Sequence, residues 1–347
     1  MKKINLMKYF ALGLISLSIV SCNIDDDNNG LIPFEAGVVD NPVTISQIAI
    51  ATPELSILEQ ALRILEERSD FKPLSELNIP GSTTIFAPTD AAFNAFLTAN
   101  GIDGISNVPR DVLESIIKNH VLAGEFPSSA LTSGYVKTNS LNNENDEPID
   151  LYINTTSGVV LNNNATVTGA DVEANNGVIH LIDAVLTQPT VFDLIAANPN
   201  FSSLVEAITL ADAAADADTA TIASIIGELG AEFTIFAPNN AAFASLLQEL
   251  SLTSLSDVDP SMLRSIVLTH IIGNNMILSS EVVTGTLNSR NNQDLDVDAD
   301  NLTLTDPRGR VSGIVTSLVD VQGENGVVHE VNTVLLPEAA MMMVTTP

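Results

Sequence analysis

Histidine is the residue type in this chain best suited to acid–base or metal chemistry, and the four histidines fall into two pairs. His120 and His270 lie 150 positions apart, and His180 and His329 lie 149 apart. No His-x3-His motif or cysteine pair joins them into a zinc-type ligand set. A histidine that recurs at one place in two similar segments is typical of a buried group whose ring nitrogens bond to backbone carbonyls. We expect that structural role for all four.

Carboxylates form the second candidate site, in the stretch QDLDVDADN at residues 293–301. Its acidic residues are Asp294, Asp296, Asp298 and Asp300. On a strand, side chains alternate with a period of two, so these carboxylates would lie on one face. They could attract Ca²⁺, although the stretch lacks the glycine and the closing glutamate of an EF-hand. We favour the interpretation that this is a solvated edge strand, whose charges discourage pairing with the edge of another sheet. Ca²⁺ binding remains the alternative.

Motifs for catalysis are missing from the sequence. It contains no G-x-S-x-G elbow, P-loop or HExxH, and the single cysteine, Cys22, leaves no other thiol for nucleophilic work. We predict a protein that is not an enzyme and that needs no cofactor. A hydrolase on the same fold is the alternative, and it would require turnover that His120→Ala or His270→Ala abolishes.

Cys22 itself points to lipid chemistry. Residues 1–8 carry three lysines, and residues 9–20 are apolar but shorter than the roughly 20 residues that span a bilayer, as in a secretory signal. The junction Ile19-Val20-Ser21-Cys22 resembles a bacterial lipobox. The resemblance implies cleavage before Cys22, acylation of that residue and a membrane anchor. The alternative is a signal peptide that ends near an unrelated cysteine.

A flexible tether is predicted over residues 22–42. Residues 23–30 are acidic and turn-rich without hydrophobic periodicity. A random coil of about twenty residues, the length of the tether, has a reach of roughly 25 Å. An acidic run after a lipidated cysteine also resembles the export signal of bacterial surface lipoproteins, with a simple solvated spacer as the alternative. We expect a lipid-anchored protein of the bacterial cell envelope, at the outer membrane and exposed on the surface.

Charge and length narrow the partners and the architecture. The 43 acidic residues outnumber the 13 basic ones, and the net charge of −30 repels nucleic acid. A length of 347 residues favours two domains, and 45% hydrophobic residues suffice for two cores. With no tryptophan and only 4% aromatic residues, small aliphatic side chains must fill those cores.

The chain contains an internal duplication. Residues 84–97 read TIFAPTDAAFNAFL and residues 234–247 read TIFAPNNAAFASLL, and the histidine-bearing segments recur in the same order. The predicted division is a signal segment at 1–21, the tether at 22–42, repeat 1 at 43–189, repeat 2 at 190–337 and a tail at 338–347.

Each repeat is predicted to be α+β. Apolar residues at helical spacing come first, namely Leu55, Leu58, Leu62 and Leu65 in repeat 1 and Leu204, Ile208 and Ala211 in repeat 2. A proline should then end each Thr-Ile-Phe strand. The candidate caps of the following helix are Thr89 or Asp90 in repeat 1 and Asn239 or Asn240 in repeat 2. Period-two segments separated by Asn- and Gly-rich turns predict the remaining strands.

These segments resemble the signatures of fasciclin (FAS1) domains. The TIFAP segments look like the first signature, NGVIHLIDAVLTQP and NGVVHEVNTVLLP like the second, and IIKNHVLAGEF and IVLTHIIGNNM like the segment between them. The motif residues are Thr84, Phe86, Pro88, His120, His180, Thr234, Phe236, Pro238, His270 and His329. The resemblance implies two consecutive FAS1-like domains, each a β-sandwich or wedge with packed helices, in an extracellular or periplasmic adhesion role.

One departure limits what the resemblance implies. Family members that bind integrins are thought to use a tyrosine–histidine pair, whereas Asn119 precedes His120 and Thr269 precedes His270 here. That activity is therefore not carried over.

The function predicted from the sequence is that of a non-enzymatic cell-envelope adhesion or interaction lipoprotein, with two FAS1 domains on a lipid anchor and a protein or glycan partner. The alternative is a carbohydrate- or polymer-binding accessory lipoprotein of a nutrient-uptake system. Sugar platforms usually need exposed tryptophan or tyrosine, and the mature chain would keep only Tyr135 and Tyr152.

Overall fold

The computed structural model describes residues 43–68, 70–77, 81–216 and 219–339. The predicted signal segment, Cys22, the tether and most of the tail lie outside the described residues. The helices of repeat 1 are α1 Ile45–Ala51, α2 Ser56–Arg68, α3 Pro73–Glu76, α4 Asp90–Ala99 and α5 Arg110–Asn119. Its strands are β1 Thr83–Pro88, β2 Val121–Ala123, β3 Gly134–Leu141, β4 Pro148–Asn154, β5 Val160–Leu161, β6 Ala165–Ala174 and β7 Gly177–Ile182.

Repeat 2 follows the same order of elements. Its helices are α6 Val191–Ala197, α7 Ser202–Ala213, α8 Ile222–Ile226, α9 Asn240–Leu250 and α10 Pro260–Thr269. Its strands are β8 Phe233–Pro238, β9 Ile271–Gly273, β10 Gly285–Asn288, β11 Asp294–Asp298, β12 Thr303–Thr305, β13 Val311–Gly313, β14 Val321–Gly323 and β15 Gly326–Val331. The predicted α+β class is confirmed.

The helix following each TIFAP strand is capped by the first of its two candidate residues. Thr89 accepts the N–H of Ala92 at the start of α4, and Asn239 accepts the N–H of Ala242 at the start of α9. The second candidate caps a different helix. Asp90 accepts the N–H of Ile57 at 2.8 Å at the start of α2, and Asn240 does the same for α7.

A parallel pair of strands lies at the centre of each repeat. In repeat 1, β1 pairs with β7 within one seven-stranded sheet of order β2-β1-β7-β6-β5-β4-β3. In repeat 2, β8 pairs with β15 in a four-stranded sheet of order β14-β15-β8-β9, and a second sheet has the order β10-β11-β12-β13. The repeats differ in the number of sheets because of β6. This strand bends through register shifts around Gly169 and belongs to both halves of the seven-stranded sheet, whereas the corresponding strands of repeat 2, β13 and β14, are separate.

The apolar interior of each repeat consists of two clusters on opposite sides of the central strands. In repeat 1, Phe93 lies in the cluster on the helical side and Phe86 in the cluster on the other side. Phe243 and Phe236 take the corresponding places in repeat 2. The residues predicted for the buried face of the first long helix of each repeat, Leu55, Leu58, Leu62, Leu65, Leu204, Ile208 and Ala211, are all buried. The duplicated sequence thus builds two similar interiors.

The edge-strand interpretation of the acidic run is wrong. Strand β11 carries Asp294, Asp296 and Asp298 and lies between β10 and β12, so both of its edges are paired. Asp300 lies beyond the end of the strand. Within the described ranges, no group of three or more histidine, cysteine, aspartate or glutamate side chains could hold a metal ion.

Candidate functional site: the histidine motifs and the joint between the repeats

The first histidine of each repeat closes the end of a helix. His120 caps α5; its Nδ1 atom lies 2.7 Å from the carbonyl oxygen of Ile116, and its Nε2 atom accepts the N–H of Leu186 at 2.9 Å. Because Nε2 accepts, the ring proton is on Nδ1 and is donated to the carbonyl. His270 makes the same bonds to Ile266 and Leu335, at 2.8 and 2.9 Å. Burial lowers the pKa of both rings to about 4, so they are neutral at pH 7.

The second histidine of each repeat lies on the central strand pair. The Nε2 atom of His180 is 2.8 Å from the carbonyl oxygen of Phe126, and its Nδ1 atom accepts the N–H of Asp171 at 3.3 Å. The ring stacks on Phe86 of the TIFAP segment, with centroids 5.5 Å apart. His329 bonds in the same way to Ile277 and Asp320 and stacks on Phe236. Burial also lowers the pKa of His329.

A serine and an aspartate lie next to each of these histidines without forming a catalytic triad. Ser128 donates its hydroxyl to Asp171, and Ser279 donates its hydroxyl to Asp320. In a triad the histidine accepts the proton of the serine, whereas here the Nε2 atom of the ring faces a backbone carbonyl at 2.8 Å. The serine therefore has no base, and the cluster fixes a loop against the strand.

The remaining motif residues are also used inside the fold. The hydroxyl of Thr84 donates to the carbonyl of Gly124 and accepts the N–H of Phe126, both at 2.8 Å. Thr234 makes the equivalent pair of bonds to Asn275 and Ile277. Pro88 and Pro238 end strands β1 and β8. Asn119 and Thr269, the two departures from the family pattern, are fully buried and contact no solvent.

The side chains that face the neighbouring repeat lie elsewhere, on β3 and β4. Lys137 lies 2.6 Å from the carboxylate of Asp150 and donates to the carbonyl of Asp320 at 3.1 Å. The same carboxylate accepts the N–H of Gln322 at 2.6 Å. Burial raises the pKa of Asp150, and the ammonium of Lys137 opposes that shift. The pair therefore joins the repeats through one buried carboxylate whose charge is balanced.

Two tyrosines complete this contact. The hydroxyl of Tyr135 donates to the carbonyl of Leu194 in α6 at 2.8 Å, and its ring meets that of Tyr152 edge to face, with centroids 4.9 Å apart. Asn142 adds bonds to the carbonyls of Gly323 and Glu324, both at 2.8 Å. Repeat 1 contributes a docking face, formed by Tyr135, Lys137, Asp150 and Tyr152. Repeat 2 contributes a receiving face, formed by α6 around Leu194 and by residues 320–324.

Comparison with known proteins places this architecture in a family. A model of the fasciclin domain matches residues 57–189 and 199–337. The chain belongs to the fasciclin family. A solved FAS1 domain pair from the insect cell adhesion molecule Fasciclin I has the same fold, with a TM-score of 0.50 and 19% sequence identity, over 82% of this chain and 98% of that one.

Relatives of this fasciclin chain occur in animals and bacteria. It is 31% identical over 269 residues to the transforming growth factor-beta-induced protein ig-h3 of Sus scrofa, which covers 76% of this chain and 36% of that protein. It is 30% identical over 280 residues to periostin of Homo sapiens, which covers 78% and 30%. It is 31% identical over 182 residues to protein sll1483 of Synechocystis sp., which covers 52% and 91%. The chain thus spans about a third of the length of the two animal relatives.

A cleft of about 410 Å³ opens beside the joint of this fasciclin pair. Its polar lining includes Ser133, Lys137, Asn198, Asn200, Ser317 and Asp320. The two tyrosines do not form a flat platform for a sugar ring, because Tyr152 is only 6% exposed and the hydroxyl of Tyr135 is already bonded. This geometry weakens the carbohydrate-binding alternative.

Sequence reasoning missed the joint. Its partners lie far apart along the chain, as Asp150 and Gln322 do, and no local pattern connects them. The one available signal was that both tyrosines left after residue 21 fall within a single stretch of repeat 1. In the described part of the fasciclin chain, no helix is long and apolar enough to cross a membrane.

Proposed function

We propose that this fasciclin-family chain is a non-enzymatic adhesion or interaction lipoprotein of the bacterial cell envelope, anchored through Cys22. The observation that carries the non-enzymatic part is the state of the four histidines. Both ring nitrogens of each are bonded to backbone groups, so no imidazole is free to act as a base. The same bonds recur in repeat 2.

The joint between the repeats supports a role in which both domains are presented together to a binding partner. Bonds from Lys137, Asn142 and Asp150 tie repeat 1 to the receiving face, so the two domains would reach a partner as one body. A rigid pair loses less conformational entropy on binding than two domains on a loose linker. The insect cell adhesion molecule Fasciclin I, which is similar in fold, also contains a pair of FAS1 domains.

The lipid anchor is supported by the sequence around Cys22. A basic start, an apolar segment and a cysteine at the junction form one pattern, and several acyl chains bind a membrane firmly, at about 0.8 kcal/mol per buried CH₂. The acidic tether would let the pair extend from the outer membrane toward its partner.

Two measurements test this proposal in the bacterium of origin. Labelled palmitate should be incorporated into the native chain and into Ser21→Ala, but not into Cys22→Ala, which should also leave the membrane fraction. Protease added to unbroken cells should degrade the native protein. Absence of label from the native chain would contradict the lipid anchor. Full protection from protease, with degradation only after lysis, would contradict exposure on the cell surface.

The adhesion part needs its own test. Cells that carry the protein should attach to a partner surface more than cells that lack it, and soluble protein should compete for that attachment. Purified protein should show no turnover of ester or glycoside substrates. Turnover that His120→Gln abolishes, in a variant shown to be folded, would contradict the non-enzymatic assignment.

A further inference from the structure

Repeat 2 carries its own copy of the docking face. Strands β10 and β11 pair in the same register as β3 and β4. The cross-strand pairs are Tyr135 with Tyr152 and Lys137 with Asp150 in repeat 1, and Thr286 with Asp296 and Asn288 with Asp294 in repeat 2. Buried neighbours fix the correspondence, because Leu151 and Leu295 lie in equivalent apolar clusters. The acidic run is therefore the docking face of repeat 2 with both tyrosines and the lysine replaced.

Repeat 1 carries a copy of the receiving face, in the second half of β6. Asp171 corresponds to Asp320, because the N–H of each donates to the Nδ1 atom of the second histidine of its repeat at 3.3 Å. Glu173 then stands where Gln322 stands in repeat 2. Gln322 is fully buried in the joint, whereas Glu173 is exposed.

Among the described residues, neither the docking face of repeat 2 nor the receiving face of repeat 1 contacts the other repeat. The joint is heterologous, since the docking face and the receiving face are different surfaces. A heterologous contact that repeats between copies of a chain builds an open filament unless something prevents it. Repeat proteins avoid this outcome by giving their terminal units a polar outer face.

Charge distinguishes the two free faces from the joint. In the joint, the carboxylate of Asp150 is balanced by the ammonium of Lys137 at 2.6 Å, and the neighbouring carboxylate of Asp320 accepts the hydroxyl of Ser279. In a head-to-tail contact between two copies, Asp294 and Asp296 of one copy would meet Glu173 of the next. No lysine would be present on the docking strands, because Asn288 replaces it. Asp294 and Asp296 accept hydrogen bonds from Asn288 and Thr286, but these neutral donors do not balance their charge. Burying several carboxylates without a balancing positive charge is strongly unfavourable.

We propose that these carboxylates end the stacking of fasciclin domains at two, and that the surface around Asp294 and Asp296 is a docking face whose natural partner, the receiving face of another copy, is excluded by charge. The acidic run thereby keeps the protein from assembling with itself, while the same strand pair in repeat 1 holds the internal joint.

The direct test restores the docking chemistry at both ends. The full chain with Cys22→Ser, so that it carries no acyl group, is purified in detergent and compared with the same chain carrying Thr286→Tyr, Asn288→Lys, Asp296→Tyr and Glu173→Gln. Native mass spectrometry is recorded up to about 100 μM, where a contact with a micromolar Kd is saturated. The parent should give a single-copy mass, and the exchanged chain should give dimers and higher multiples.

A matched control carries Ala244→Tyr, Ser245→Tyr and Gln248→Lys on the exposed side of α9. It adds the same two tyrosines and one lysine away from either face and should remain a single copy. The proposal is overturned if the exchanged chain stays a single copy at every concentration, or if the control associates to the same extent.

A reciprocal exchange tests the same residues without any assembly, and it guards against a folding defect in repeat 2. Tyr135→Thr, Lys137→Asn and Tyr152→Asp give repeat 1 the docking face of repeat 2. The N–H of Gln322, bonded to Asp150 in the joint, should then lose at least tenfold of its protection from hydrogen exchange. Amides of β1 and β7 should stay protected, which shows that repeat 1 is folded. Unchanged protection at Gln322 would show that these side chains do not govern docking.

Discussion

Repeats 1 and 2 share the hydrogen bonds of their buried histidines but differ in the side chains of their equivalent surface strands. The rings of His120 and His270 make bonds of 2.7 and 2.8 Å to the helix carbonyl and of 2.9 Å in both cases to the following strand segment. On the surface, the pair of Tyr135 and Tyr152 is replaced by Thr286 and Asp296 at the same register. A buried polar group must keep its partners, because losing one costs the full desolvation of the other. Cross-strand pairs on the surface are free to diverge. Here the pair in repeat 1 lies in the joint, and the equivalent pair in repeat 2 is exposed to solvent.

The largest expected effect tests how similar the two interiors are. Gly177 and Gly326 begin the last central strand, where an added Cβ would lie 1.8 Å from the carbonyl oxygen of Thr83 and 2.3 Å from that of Phe233. Gly177 also has a φ of +145°, which strains any other residue. Gly177→Ala should cost at least about 4 kcal/mol of unfolding free energy, and Gly326→Ala somewhat less.

Urea denaturation followed by tyrosine fluorescence reports on repeat 1, since Tyr135 and Tyr152 lie there, and circular dichroism reports on both repeats. Gly101→Ala is the control, with a positive φ but no atom within 4 Å of the added Cβ. It should cost about 1 kcal/mol. Equal losses for Gly101→Ala and Gly177→Ala would refute the close approach of β7 to β1.

The next effect is the acid sensitivity of the two helix-capping histidines. Their pKa is about 4 in the folded protein against an ordinary 6.5, so the unfolded chain binds more protons between these values. The stabilisation is complete above pH 6.5 and is lost as the pH falls toward 4. Linkage gives a loss of about 2 kcal/mol per histidine between pH 7 and pH 5.

His120→Gln and His270→Gln should each remove that share of the pH dependence while lowering stability at pH 7. Urea titrations at pH 7 and pH 5 measure both quantities. The two repeats should respond alike, because both rings are buried and make the same bonds. A pH dependence that either substitution leaves unchanged would show that the ring is charged or exposed in the folded state.

Local patterns sufficed for the fold of each repeat. The spacing of Leu55, Leu58, Leu62 and Leu65 depends on neighbours within one helix, and the duplication gave two independent copies of every signal. The recurrence of the histidines also predicted their bonds to backbone carbonyls, which the structure has.

What the sequence could not predict depends on distant pairings. Alternating aspartates indicate a strand with one solvent-exposed face, but they do not show whether its backbone edges are paired. The pattern therefore favours an edge strand, whereas β11 lies between two others. The joint required knowing that Asp150 meets Gln322, which follows from packing of whole domains. Asp90 caps α2 rather than the predicted α4, because the N–H that donates to its carboxylate belongs to Ile57, in another part of the chain.

A smaller effect is expected when the two equivalent helix caps, one charged and one neutral, are removed and the losses in stability are compared. Asp90 and Asn240 occupy the same place and bond the first turn of α2 and α7 at 2.8 and 2.9 Å. A carboxylate interacts more favourably than an amide with the positive end of a helix. Asp90→Ala should cost about 1.5 kcal/mol and Asn240→Ala about 1 kcal/mol. Asp90→Asn should cost a few tenths of a kcal/mol, and that cost should vanish in 1 M salt, where a persistent difference would rule out charge as its cause.

The smallest effect concerns a packing difference between the two interiors. Leu55 of repeat 1 follows the turn at Pro53 as Phe201 of repeat 2 follows the turn at Pro199, and both side chains are fully buried. An apolar cavity of about 20 Å³ remains beside Leu55. Leu55→Phe should place the larger ring of repeat 2 in that space and raise the unfolding free energy of repeat 1 by about 0.5 kcal/mol. The reverse change, Phe201→Leu, should lower the unfolding free energy of repeat 2 by about 1 kcal/mol, because the smaller side chain leaves a cavity in a filled interior. If Leu55→Phe instead destabilises the protein, the walls around the cavity cannot move, and the two interiors are less alike than their hydrogen bonds indicate.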